Sequence, residues 1–355
     1  MRLLNQTAFD YLECAFVRAG NLVTPCCRRY RLAGQVVEVR VAGGRLGELI
    51  HKVFMHLPEA PAGRSGLVLE MWDEEETGIS VSDELEKRLG GCARREIGNS
   101  EVAAGTSPAL ARYATRDGRF LFERATTGTT AFDRRGRRIL VSAASCDHHL
   151  RSELTKPAAW AMSLWLQDND RFVAHAGLVG VEEKGILLSG HAGQGKSTTT
   201  LSCFLHGYRF LGDDFVALSR EDGAFQGHSV YGSALLRRDY RDYLPSLPEN
   251  LVLPLENDKE VVFPAEFCPE RLRDSVRINA LVRLQVTKNQ PSRILPISRK
   301  EVLPPLVFHL LQAGCTKEHF ALLAGMTQSL PCYRLRVGDD AERVPELIRH
   351  LARTL

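Results

Sequence analysis

The chain has 355 residues, 44% hydrophobic and 25% charged, and its 46 Lys+Arg against 43 Asp+Glu leave a formal net charge of +3. That composition belongs to a globular protein with room for two domains, and it excludes a disordered chain, a collagen-like repeat and a disulfide scaffold. The small basic excess also argues against a general nucleic-acid binder, whose footprint is a strongly basic domain or stripe. No apolar run approaches the ~18 residues of a membrane span. Asp10 and Glu13 interrupt the stretch that a signal peptide would keep apolar. Nine scattered cysteines without a CxxC pair fit a reduced compartment. The expectations are a cytoplasmic protein with no membrane and no nucleic-acid partner.

Residues 1–150 read as an N-terminal α+β domain carrying no catalytic motif, and 151–355 as a second domain, with the boundary inside 150–170. Gln35 to Val41 alternates as a strand. Leu46, Leu49, Ile50, Val53, Phe54 and Leu57 recur at helical spacing until Pro58 and Pro61 stop the helix. Leu67 to Trp72 predicts a buried strand, and the acidic run Asp73 to Glu76 a solvated turn. Phe120–Arg124, Thr129–Phe132 and Arg138–Ser142 predict antiparallel strands, the last two joined by a hairpin turn at Asp133–Gly136. A helix is expected from Pro157 to Leu166.

The second domain carries the chemistry. Phe172–His175 and Leu178–Val181 read as one strand interrupted at Gly177, and Gly185–Ser189 as a short buried strand. That strand runs directly into Gly190-His191-Ala192-Gly193-Gln194-Gly195-Lys196-Ser197, a complete GxxxxGK[ST] loop, and then into a helix through Thr198 that ends at Gly207. Glycines let backbone N–H groups curl around phosphate oxygens, and the helix aims its positive end at the same anion. Lys196 supplies a point charge to the outer phosphates, and the Ser197 hydroxyl is a Mg²⁺ ligand. The nucleotide expected on Gly190 to Thr198 is ATP, with Mg²⁺.

Next comes Tyr208–Leu218, an apolar strand carrying Asp213 and Asp214 in succession, a pair that also reads as ordinary acids at a turn or strand end. Successive strand residues face opposite sides, so one carboxylate can face the metal while the other takes the acceptor hydroxyl proton. His175 is either a core histidine or a neighbour of the phosphates.

His175, the Gly190–Ser197 loop, Gly207-Tyr208-Arg209 and Leu211-Gly212-Asp213-Asp214-Phe215-Val216 resemble, in order and spacing, the catalytic domain of HPr kinase/phosphorylase. The resemblance covers residues 172–218. It implies a mixed α/β fold with a P-loop kinase core of the HPr kinase/phosphoenolpyruvate carboxykinase type. It implies Asp213 as base and Asp214 as metal partner, roles that can be exchanged, with His175 near the phosphates. The glycine- and arginine-rich signature of that family is absent between 220 and 300. There the chain looks more like divergent members encoded with lasso-peptide and other peptide natural-product pathways, which phosphorylate serine on a precursor peptide.

The function expected is therefore an ATP-dependent kinase of a serine or threonine hydroxyl on a peptide or protein, as a possible homo-oligomer. A kinase of a small hydroxylated metabolite and a non-catalytic nucleotide sensor are the alternatives. Arg237, Arg238 and Lys259 are further candidates for phosphate contact, each also readable as a surface ion-pair residue. Leu244 to Leu255 reads as a long loop, Val276–Thr287 as a central strand and Leu330–Val337 as the last strand. A closing helix over Ala341–Thr354 buries Val344, Leu347, Ile348 and Leu351.

Overall fold

The computed structural model describes residues 7–97, 110–125, 127–146, 152–255, 258–313 and 316–355. The fold is mixed α/β and divides into two compact units, Met1–His51 with Glu59–Trp165, and Lys52–Pro58 with Leu166–Leu355. The second unit takes in the chain from Leu166, inside the helix Ala159–Gln167, together with Lys52–Pro58, which starts in the last turn of the helix Gly44–Phe54. Trp165 stays with the first unit, where its indole N–H donates to the Gly66 carbonyl.

The first unit is built on an eight-stranded sheet. Gln35–Ala42, Leu67–Asp73 and Arg138–Ala143 lie parallel at its centre, and antiparallel strands extend it on both sides. The predicted strands after residue 119 appear as Phe120–Ala125, Gly128–Asp133 and Arg138–Ala143, antiparallel as expected. The Asp133 carboxylate accepts from the Arg135 and Gly136 amides and so shapes the turn between the last two.

A helix, Ala8–Leu22, covers this sheet where the sequence reading assigned no element. Thr7 and Asp10 form a capping box, each side chain accepting from the other's backbone N–H. Phe9, Leu12 and Phe16 then pack with Trp72, Phe122 and Leu140. The acidic run is not a solvated turn throughout: it contains the short helix Glu74–Thr77. Asp73 is 3% exposed and caps that helix by accepting from the Glu75 and Glu76 amides. One carboxylate of the run is thus structural, because a helix start left without a capping acceptor exposes its first N–H groups.

The second unit carries a nine-stranded mixed sheet. Along its main path lie Arg209–Gly212, Gly177–Val181, Lys184–Ser189, Ser275–Val286, Ala224–Ser229, Val216–Glu221 and Phe172–Ala174. Cys332–Val337 lies parallel to Ser275–Val286, which is itself parallel to Lys184–Ser189. Strand alternation splits the core into two layers. Leu178, Leu187 and Leu281 pack with Val302, Leu323 and Met326 of the helices Arg299–Ala313 and Lys317–Ser329. Their neighbours Val179, Leu188 and Val282 pack with Cys203 of the helix Lys196–Leu205 and with Ile348 and Leu351 of Val344–Thr354.

Residues 172–181 form not one interrupted strand but two, Phe172–Ala174 paired with Val216–Glu221, and Gly177–Val181 paired with Lys184–Ser189. A Cβ on Gly177 would lie 2.2 Å from Thr200 Oγ1, so glycine lets this strand pass close under the helix. The expected loop at 244–255 contains the strand Val252–Pro254. It joins Lys259–Val262 and Ala234–Arg237 in a separate three-stranded sheet. Among the described residues no helix is long and apolar enough to cross a membrane.

Buried histidines, His56 and His319 among them, give the second unit a pH dependence. Burial pushes His56 down to about 3 and His319, whose ring lies 4.8 Å from that of Phe172, down to about 4. Both stay neutral when folded, whereas an unfolded chain protonates them below about 6.5. The unfolded state then binds more protons, so stability falls as pH drops from about 6.5 towards 4, by about 1.4 kcal/mol per pH unit for each histidine. Calorimetric proton uptake on unfolding at pH 5 should include about one proton from each group. His319→Phe, which keeps the ring contact, should lower the uptake by about one; an unchanged uptake would remove His319 from this account.

Candidate active site

The site starts at the carboxyl end of Lys184–Ser189, where one neighbouring strand is parallel and the other antiparallel. A buried apolar strand, a glycine-rich loop and a helix follow one another here, as the residue types dictate. Gly193 and Gly195 adopt φ of 78° and 81°, the left-handed region that glycine enters without a Cβ penalty. Gly190 is needed for a different reason: a Cβ there would lie 3.3 Å from the Gln194 Cβ. The Gln194 amide donates to the His191 carbonyl at 3.2 Å and turns the loop, whose crest His191, Ala192 and Gly193 is exposed.

The helix begins at Lys196 with Gly195 as its cap, a residue with no side chain to offer the first N–H groups. Those donors and the helix dipole favour an anion at the loop. Ser197 and Thr198 follow in the first turn, both partly exposed. The Lys196 side chain is 6% exposed, and its Nζ donates to the Gly190 carbonyl at 3.0 Å, closing the loop on itself.

The paired aspartates sit at a turn between two strand ends, as the plainer reading of the pair has it. They do not lie within one strand: Arg209–Gly212 ends before them and Val216–Glu221 begins after them. Phe215 N–H donates to the Asp213 carbonyl across Asp214, whose φ is +62°. Aspartate tolerates that conformation better than most residues. The tight turn, not strand alternation, separates the two carboxylates. Asp214 Oδ1 lies 3.9 Å from Lys196 Nζ and 3.3 Å from His175 Nε2. Asp213 is 1% exposed, and its Oδ2 accepts from the Leu235 N–H at 3.2 Å.

The pairing of Ala174 with Val216 explains how His175 and Asp214 meet, since each stands one or two residues beyond that register. Lys196, Asp214 and His175 are thus brought together beside the loop, and Asp213 adjoins them through the backbone. The contact of Asp213 with Leu235 was not visible in the sequence, because a bond to a backbone amide leaves no residue-type signal. Arg237 and Arg238 are exposed and pair with Asp239 at 3.8 Å and Asp258 at 3.0 Å; Lys259 is also exposed.

Among the described residues no group of three or more His, Cys, Asp or Glu is arranged to hold a metal. The donors at the loop are instead a hydroxyl, Ser197, and a carboxylate, Asp214. Both are hard oxygen donors of the kind Mg²⁺ takes alongside waters and phosphate oxygens.

No family model matches the chain, and no curated protein matches it. Among solved structures it is similar to the Hpr(Ser) kinase/phosphatase from Coxiella burnetii, at 14% identity and a TM-score of 0.28, over 51% of this chain and 94% of that one.

Proposed function

We propose that the chain is an ATP-dependent kinase that transfers the γ-phosphate to a serine or threonine hydroxyl of a peptide or protein. The observation that carries this reading is the meeting of Lys196 and Asp214, 3.9 Å apart, beside a glycine-rich loop that opens a helix. An anion-binding loop with one lysine suits nucleotide binding alone; a carboxylate at the same point adds a means of handling a metal or a proton.

In this reading the backbone N–H groups of Gly190 to Thr198 and the Lys196 ammonium hold the phosphates of ATP. Ser197 and Asp214 would hold Mg²⁺, which supplies neutralisation of phosphate charge when bound. The acceptor oxygen forms a bond to the γ-phosphorus as the bond from that phosphorus to the ADP oxygen breaks. The hydroxyl proton passes to the Asp213 carboxylate. Asp213 is seated on the Leu235 amide, and it would meet an acceptor by exchanging that bond for one from the hydroxyl. Most of the rate would come from positioning and preorganised charge.

The acceptor class rests on the sequence resemblance, which points to a serine-bearing precursor peptide. Intact-mass and ADP-release assays with Mg·ATP test it, offering serine peptides, the protein HPr and free L-serine. A phosphorylated peptide or protein is the expected product. Phosphoserine alone would make the chain a metabolite kinase, and tight ATP binding without a phosphorylated product from any acceptor would count for a sensor.

A further inference from the structure

The strand Ser275–Val286 outlasts its parallel neighbour. Lys184–Ser189 last pairs with it through Ser189 and Arg283, whereas on the other side the pairing with Cys332–Val337 continues to Val286 and Val337. Beyond Arg283, one edge of the long strand has lost its strand partner, and the glycine-rich loop passes over that edge. The Val286 N–H is met there by a side chain: it donates to Gln194 Oε1 at 3.0 Å. Other parts of the loop lie against the same strand end. A Cβ on Gly190 would be 3.5 Å from the Leu284 Cβ, and one on Gly195 would be 3.8 Å from Val286 Cγ2.

We infer that Gln194 is a latch. Its amide oxygen takes the place of the missing strand carbonyl and holds the loop against Val286 in the shape that receives phosphate. The GxxxxGK[ST] pattern leaves this position open, so the function ascribed to the motif says nothing of it. The latch belongs to the chain itself; its consequence for nucleotide binding rests on the reading proposed above.

The physical need follows from the loop's composition. Glycines lose the most backbone freedom on ordering, and Gly193 and Gly195 flank Gln194 directly. Without a restraint, that entropy is lost when the nucleotide binds, and the apparent affinity falls with the population of the competent loop. Lys196 Nζ on the Gly190 carbonyl restrains one end of the loop, and Gln194 on Val286 restrains the crest side. Gln194 touches no reacting atom, so it is a positioning residue. It acts before binding, and its loss should raise KM while leaving kcat alone.

The test compares the full chain with Gln194→Met, which keeps the side-chain length but removes the acceptor, and with Gln194→Glu, which keeps an acceptor oxygen. Amide hydrogen exchange at Val286 is followed without nucleotide, and Mg·ATP affinity and turnover are measured alongside. In Gln194→Met, exchange at Val286 should quicken about fivefold, as expected for one partly exposed hydrogen bond, while Val282 within the strand stays unchanged. Gln194→Glu should keep the protection of Val286. The KM for Mg·ATP in Gln194→Met should rise by a similar factor of about five with kcat unchanged. Unchanged Val286 exchange in Gln194→Met would overturn the latch, and so would a loss confined to kcat. If the unaltered chain fails to bind Mg·ATP, the nucleotide reading falls, and the exchange comparison still decides the latch.

Discussion

Lys196→Met is expected to lower phosphoryl transfer by about 10²–10³-fold, the loss seen when one preorganised charge-stabilising donor is removed from an active site. Methionine keeps most of the buried stem, so the change reports the ammonium rather than a cavity. The lysine is 6% exposed, and low solvent exposure raises the worth of its charge towards a phosphate. With the ammonium gone, the Gly190 carbonyl loses its donor and Asp214 loses a cation 3.9 Å away. Nucleotide affinity should therefore fall too, but by less than the rate, because the charge on the transferred group is redistributed most at the transition state. Lys196→Arg should fail to restore transfer, since a planar fork does not replace a compact ammonium. Single-turnover transfer and equilibrium binding of Mg·ATP separate the two effects. Turnover of Lys196→Met equal to that of the unaltered chain would make Lys196 a structural lysine that closes the loop.

The strand, loop and helix over 184–205 were legible because their residue types answer local demands: an apolar run for the buried strand, and glycine for the left-handed backbone at 193 and 195. Nothing distant is needed to read them. The capping box of Ala8–Leu22 was equally local, but its Thr7-x-x-Asp10 form uses aspartate where glutamate or glutamine is the usual partner, and the helix went unassigned. Other features lay outside local reach. The chain leaves one strand at Ala174 and enters another at Gly177, and only the pairing of each with a distant strand separates them. The acidic run at 73–76 reads as four equivalent charges, whereas burial singles out Asp73 as the cap. The same limit governs the aspartate pair. Their adjacency was visible in the sequence; the directions the turn gives them, Asp213 to Leu235 and Asp214 towards Lys196, were not.

That turn makes the asparagine substitutions at Asp213 and Asp214 the most informative pair of changes. Asparagine tolerates the positive φ of Asp214 and can still accept from the Leu235 amide at 213, so both variants keep the backbone while removing a charge. Asp213→Asn is expected to bind Mg·ATP normally and to lose about 10²–10⁴-fold in transfer, the range of a general base. Asp214→Asn should instead weaken Mg·ATP binding and raise the Mg²⁺ concentration needed for half-maximal rate, because a neutral amide is a poorer ligand for a hard cation than a carboxylate. Full magnesium titrations of both variants, under single-turnover conditions, distinguish a metal ligand from a proton acceptor. The opposite pattern has an equally definite meaning. If Asp213→Asn transfers normally, while Asp214→Asn loses rate at every magnesium concentration, the roles are exchanged. Asp213 would then serve to seat Leu235, and Asp214 would take the proton from the acceptor. Its 22% side-chain exposure, against 1% for Asp213, gives it the easier access to a hydroxyl arriving from solvent.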